Sequence, residues 1–149
     1  RKIIPMALKR KLFNQCVLPA MTYASESWAM TQTSMNRLAV AQRRLERSVI
    51  GVTILDRRRN EWLRGITGFN DATQACLLRK WSWCEKIANL SYASWARMVT
   101  EWVSRGPKRR RGKPRKRWRD EFVTVAGTRY LHAARNRAQW RNLIVMLRE

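Results

Sequence analysis

The chain has 149 residues, 45% of them hydrophobic, with 32 Lys and Arg against 10 Asp and Glu and a formal net charge of +22. A single acidic binding pocket would not explain so large and widely spread an excess; a polyanionic partner would. No apolar run is long enough to span a bilayer. The three cysteines, Cys16, Cys76 and Cys84, are odd in number and form no C-x-x-C pair, which favours reduced thiols in an intracellular compartment over a disulfide scaffold.

Residues 6–18 read as a helix, with Leu8, Leu12 and Cys16 recurring at four and Phe13 and Val17 beside them. Pro19 lacks an N–H and is expected to kink or end it. The pattern then resumes with Ala20, Tyr23, Ala24 and Trp28 on one face. A helix over 34–50, capped by Thr33 or Ser34, carries a buried stripe of Met35, Leu38, Ala41, Leu45 and Val49. Arg37, Arg43, Arg44 and Arg47 project opposite, as a phosphate-touching face or as a solvated one. Gly51 is its stop.

Asp56 precedes a short helix, RRRNEWLRGIT, whose dipole it favours, and Gly68 closes that helix. Asn70 or Asp71 caps a helix over about 72–90, with a seam of Leu77, Trp81, Cys84 and Ala88 widened by Trp83, Ile87 and Leu90. Cys76 and Cys84 read as core, because with His132 they lack a zinc spacing. Short helix, glycine turn and long helix share the outline of a helix-turn-helix. In 91–103, Trp95, Met98 and Trp102 keep a three-four spacing.

Residues 105–119 read RGPKRRRGKPRKRWR. Ten of these fifteen are cationic: Arg105, Lys108, Arg109, Arg110, Arg111, Lys113, Arg115, Lys116, Arg117 and Arg119. None is acidic, and two glycines and two prolines prevent a long helix. Such density repels itself unless a polyanion lies against it, and each neutralised phosphate releases counterions. The alternative is a solvated loop. Arg111-Gly112-Lys113-Pro114-Arg115 is close to an AT-hook core, but Lys replaces the second Arg, so a phosphate-tracking arm is the preferred reading. Of the eight tryptophans most are expected in the core, while Lys80-Trp81 and Arg117-Trp118-Arg119 pair indole with cation in a form usable for base stacking.

A short helix over 117–126 ends at Gly127. The last helix, about 132–148, has Trp140, Ile144 and Leu147 on its apolar face. The expected fold is all-α, an irregular bundle of about five to seven helices with one flexible basic arm. Its expected divisions are 1–50, 51–104, 105–119 and 120–149. The acidic residues are scattered, His132 is the single histidine, and there is no P-loop, G-x-S-x-G or H-E-x-x-H motif. No catalysis, metal or cofactor is expected of this chain, and no membrane or small-molecule partner.

Four stretches together resemble one family: LKRKLFNQCVLPAMTYASESWAMT at 8–31, AQRRLERSVIGVTILDRRRNEWLRGITG at 41–68, LLRKWSWCEKIA at 77–88 and KRRRGKPRKRWRDEF at 108–122. They are similar to the region after the polymerase palm in reverse transcriptases of non-LTR, LINE-like retrotransposons of the RTE type. There the first block belongs to the thumb, which clamps the template-primer by its backbone. The resemblance implies nucleic-acid contact by Lys9, Arg10 and Lys11 and by Arg43, Arg44 and Arg47, and binding of element RNA or target DNA by the tail at 105–119. Arg57, Arg58, Arg59 and Trp118 complete the candidate contacts. The family's catalytic aspartates, with the Mg2+ they hold, and its endonuclease would lie outside this chain, which starts at Arg1 and reads as a fragment. Where the family usually has Gly-His-Val-x-Arg-Met, this sequence has Cys84-Glu85-Lys86-Ile87-Ala88-Asn89.

The expected partners are RNA and/or DNA and the rest of the reverse transcriptase, in a nuclear and/or cytoplasmic ribonucleoprotein. The residues alone leave two main alternatives, a standalone helix-turn-helix or AT-hook-like DNA-binding protein and a structural RNA-binding protein of a ribonucleoprotein particle, with attachment to an anionic membrane as a weaker third.

Overall fold

The computed structural model describes residues 4–102, 112 and 116–146. These are helices and connecting turns with no strand among them, an all-α chain as expected. The expected flexible arm lies, for residues 105–111 and 113–115, outside the described residues. The chain divides into two compact units, Arg1–Ser25 with Thr31–Leu77, and Glu26–Met30 with Leu78–Glu149. The dividing line falls inside a helix.

The first unit begins with α1 (Met6–Leu12) and α2 (Leu18–Met21), joined by a wider helical turn over Phe13–Val17. There the Leu18 N–H bonds the Phe13 carbonyl, five residues back. Pro19 therefore neither ends nor interrupts the helix. The wider turn shifts the ladder at the place where its ring would meet a carbonyl four residues back. The extra residue also turns the buried face. Phe13 and Leu18, five apart, are buried, whereas Leu8 and Leu12 are 56% and 59% exposed and Cys16 is exposed. The four-residue stripe expected inside thus faces outward. Phe13 stacks on Phe69 with ring centroids 4.1 Å apart, and Leu18 and Ala72 complete this core. The chain leaves the helix after Met21, so the expected second apolar face is not helical and Tyr23 and Trp28 are exposed.

Helix α3 (Gln32–Ile50) starts two residues before the expected point. Thr31 is the cap, its Oγ1 accepting from the Ser34 N–H while the Thr31 N–H donates to Ser34 Oγ. Ser34 is thus the return partner of a capping box rather than the cap. The buried positions of α3 are Gln42 and Glu46, and Ala41 and Leu45 are exposed. The Gln42 amide explains this displacement of the predicted stripe. Its Oε1 accepts from the Ala72 N–H at 2.7 Å, and its Nε2 donates to the Asn70 carbonyl and to Glu46 Oε1, both at 3.0 Å. Gly51 closes α3 at φ 81°, as predicted.

Helix α4 (Asn60–Thr67) starts later than its sequence suggests. Asp56 does not serve its N-terminus. The carboxylate instead accepts from the Thr53 N–H and hydroxyl, bonds that hold it below the usual aspartate range. Gly68 ends α4 at φ 59°. Asp71 caps α5 (Ala72–Ala88), accepting from the Thr73 and Gln74 N–H groups and pairing with Arg64. Burial opposes its ionisation, but these bonds and the Arg64 charge together hold its pKa low.

The second unit is built on aromatic rings. Trp81, Cys84 and Ala88 of α5 meet Phe122 of α7 (Asp120–Ala126), Tyr130 and Ala134 of α8 (Tyr130–Arg135) and Trp140 of α9 (Arg137–Met146). Trp81 and Trp140 have centroids 4.7 Å apart, and Trp140 Nε1 donates to the Trp81 carbonyl at 3.0 Å. The predicted final helix is two, because Asn136 leaves the helical region at ψ 93° and its side chain accepts from the Gln139 N–H. Trp83 and Leu90, expected to widen the seam of α5, are exposed. In α6 (Trp95–Glu101) the buried side chain is Arg97, and Trp95 and Met98 are exposed. Lys80 is fully buried beside the rings, its Nζ 2.8 Å from Glu121 Oε2. Burial pushes its pKa down, against the pull of Glu121.

Two consequences for stability follow from these buried charges. Glu46 is fully buried and its Oε2 lacks a partner among the described residues; burial raises its pKa above the ordinary 4.5, against the Gln42 bond and nearby arginines. The folded state thus holds this proton more tightly than the unfolded state, and stability falls as pH rises through the window above 4.5. Glu46→Gln is expected to gain about 1 kcal/mol at neutral pH and nothing below the ordinary glutamate pKa, measured by urea unfolding at both pH values. Lys80→Met should cost about 3–5 kcal/mol by leaving Glu121 unpaired. Adding Glu121→Leu should restore most of that loss, read from denaturation midpoints.

Candidate nucleic-acid interface

Several cations singled out by sequence have partners inside the first unit. Lys9 Nζ donates to the Val49 carbonyl at 3.0 Å, at the end of α3. Arg10 Nε donates to the Thr67 carbonyl at 2.7 Å, at the end of α4. Both place positive charge where a helix leaves its last carbonyls unpaired. Arg47 Nη2 donates to Asn60 Oδ1 at 3.1 Å, and Arg58 lies over the Trp62 ring at 5.2 Å. Arg43 is half-buried, and its Nε is buried without a partner among the described residues. Lys11, Arg44, Arg57 and Arg59 are exposed.

At the end of the basic run, Lys116 Nζ donates to the Met30 carbonyl at 2.7 Å. The Arg117 N–H donates to Asp120 Oδ2 at 2.7 Å, and its side chain is exposed. Trp118 Nε1 donates to the Glu26 carbonyl at 2.6 Å. Arg119 is half-buried at the start of α7. Arg105, Lys108, Arg109, Arg110, Arg111, Lys113 and Arg115 lie outside the described residues.

Sequence reasoning missed two features of the second unit. Arg97 Nη1 and Arg135 Nε both donate to the Ala88 carbonyl, at 3.3 and 3.1 Å, and close the end of α5. The Tyr92 ring lies 3.8 Å from the Arg97 guanidinium, and its hydroxyl accepts from Arg135 Nη2. No local pattern marks Arg135, whose partner carbonyl lies 47 residues away. The second feature is an open groove of about 550 Å³, walled chiefly by Trp83, Trp95, Trp102 and Trp118 with Arg117 and Arg119. The excess of tryptophan and the Arg117-Trp118-Arg119 triplet were its visible signals, but neither shows that Trp83, Trp95 and Trp102 join them.

The remaining chemistry is quiet. Burial pushes the Cys84 thiol and the Tyr130 phenol up to about 12, so neither supplies an anion near neutral pH. Among the described residues no group of three His, Cys, Asp or Glu side chains converges, and no helix is long and apolar enough to cross a membrane.

No family model and no solved structure matches the chain. It is 29% identical over 126 residues to an uncharacterized transposon-derived protein of Caenorhabditis elegans, a match covering 82% of this chain and 45% of that protein. The chain is therefore similar, along most of its length, to a transposon-derived protein, and it spans under half of that relative.

Proposed function

We propose that this chain binds nucleic acid mainly through the phosphate backbone, as the non-catalytic thumb and post-polymerase part of a non-LTR retrotransposon reverse transcriptase. The observation that carries the reading is the cationic run RGPKRRRGKPRKRWR in a chain of net charge +22. A phosphodiester polymer relieves that repulsion and gains entropy from released counterions. The transposon-derived relative supports the wider setting.

Among the described cations, Lys11, Arg44, Arg57, Arg59 and Arg117 are exposed and suited to phosphate contact, while Lys9 and Arg10 hold helix ends. Polymerisation, with its Mg2+, belongs in this reading to a palm elsewhere in the parent polypeptide. The partners are RNA and/or DNA and that polypeptide, within an intracellular ribonucleoprotein. A standalone helix-turn-helix regulator would instead show large affinity differences between duplex sequences.

If about six cations meet phosphates, log affinity for a fluorescent duplex falls with log salt at a slope of about −5. A flat response overturns the proposal. Lys11→Ala with Arg44→Ala should reduce that slope by about 2 and leave stability unchanged, since both side chains are exposed. Arg10→Ala should instead lower stability by about 1 kcal/mol through loss of its bond at the end of α4.

A further inference from the structure

Contrary to the expectation from sequence, the eight tryptophans are not mostly core: two are buried, Trp118 is half-buried and the other five are exposed. Trp81 and Trp140 are sealed in the core, where ring stacks on ring. Trp95 and Trp102 are 79% and 70% exposed and stack on no other ring among the described residues. Large indoles left in water beside one another mark a surface that receives something. They line one groove with Trp83 and with Trp118, at about 550 Å³ within the roughly 300–1,000 Å³ typical of ligand clefts.

One wall of the groove is fixed. Trp118 is held by its Nε1–H bond to the Glu26 carbonyl and by Phe122, whose ring centroid lies 4.7 Å away. Arg117 and Arg119 stand on either side of it in sequence and line the same groove. Flat apolar faces bordered by guanidinium groups match a nucleotide, whose base presents a π-face and whose backbone presents an anion. A duplex cannot use such a site, because its bases are already stacked on each other. Trp102 also precedes the cationic run in sequence, and Arg117, Trp118 and Arg119 close it. A strand whose phosphates meet that run is thereby tethered near the indoles, at high effective concentration.

We infer that this groove binds unpaired bases of single-stranded RNA or DNA, with Trp95 and Trp102 as stacking faces and Arg117 and Arg119 meeting the flanking phosphates. The inference rests on the nucleic-acid reading above and adds strand selectivity to it. A proline-rich peptide also docks on tryptophan faces, but the arginines and the cationic run favour a polyanion.

The experiment compares oligo(dT), oligo(U), a duplex and an abasic strand of equal length on the intact chain, by anisotropy and tryptophan quenching. The abasic strand keeps every phosphate and lacks the bases. The intact chain should bind either base-bearing strand about tenfold or more tighter than the abasic strand, with quenching. Trp95→Leu with Trp102→Leu should erase that difference and leave abasic and duplex binding unchanged, while Trp95→Tyr retains most of it. Circular dichroism should be unaltered, since both residues are exposed. Tighter binding of oligo(U) than of oligo(dT), or the reverse, identifies which strand the groove prefers, and both support it. Equal affinity for abasic and base-bearing strands overturns the groove assignment but leaves the phosphate reading standing. Failure to bind any strand overturns both. Quenching by a proline-rich peptide without quenching by either oligonucleotide overturns it in favour of a peptide site.

Discussion

Lys9, Arg10, Arg97 and Arg135 each donate to the final carbonyls of a helix: α3, α4 and, for the last two, α5. Those carbonyls carry the negative end of the helix dipole and have no intrahelical partner. In a chain so rich in cations, this is one way positive charge can stabilise rather than repel. The bonds also join segments far apart in sequence, 40 residues in the case of Lys9 and 57 for Arg10. The short helices of the first unit have a small core of Phe13, Leu18, Phe69 and Ala72. Cationic clamps and the Gln42 amide supply fixed geometry that so few apolar side chains would leave loose.

Helix stops were legible in the sequence, whereas Pro19, the Asp56 cap and the Thr33 or Ser34 cap were not borne out. Gly51 and Gly68 end their helices in the left-handed region, and Asp71 caps α5. Apolar periodicity was less reliable, for identifiable reasons. The wide turn at Phe13–Val17 shifts the phase of the first helix, so that a four-residue repeat points Leu8 and Leu12 outward. On α3 the burial of Gln42 and Glu46 follows from backbone groups at Asn70 and Ala72, which no window around α3 contains.

The same limit governs the candidate interface. Counting Lys and Arg found the charge and its density. It could not separate Lys9 and Arg10, engaged with carbonyls, from Lys11 beside them, which is exposed. Adjacent residues on a helix point in different directions, and only tertiary contact tells which direction holds a partner. The tryptophan groove was hidden for a related reason. Its rings come from α5, α6 and the residues before α7, and the three-four spacing of Trp95, Met98 and Trp102 reads equally as a core stripe.

Gly68 joins these themes at one atom. A methyl group there would sit 2.6 Å from Arg10 Nε, and the φ of 59° disfavours any side chain. The position therefore carries two separate vetoes, one on the sign of a torsion and one on an occupied volume. Relief of the second is available only by swinging the guanidinium aside, which unfastens α1 from the end of α4 while leaving each helix intact. A replacement at this site would act as a loosened joint between sound parts.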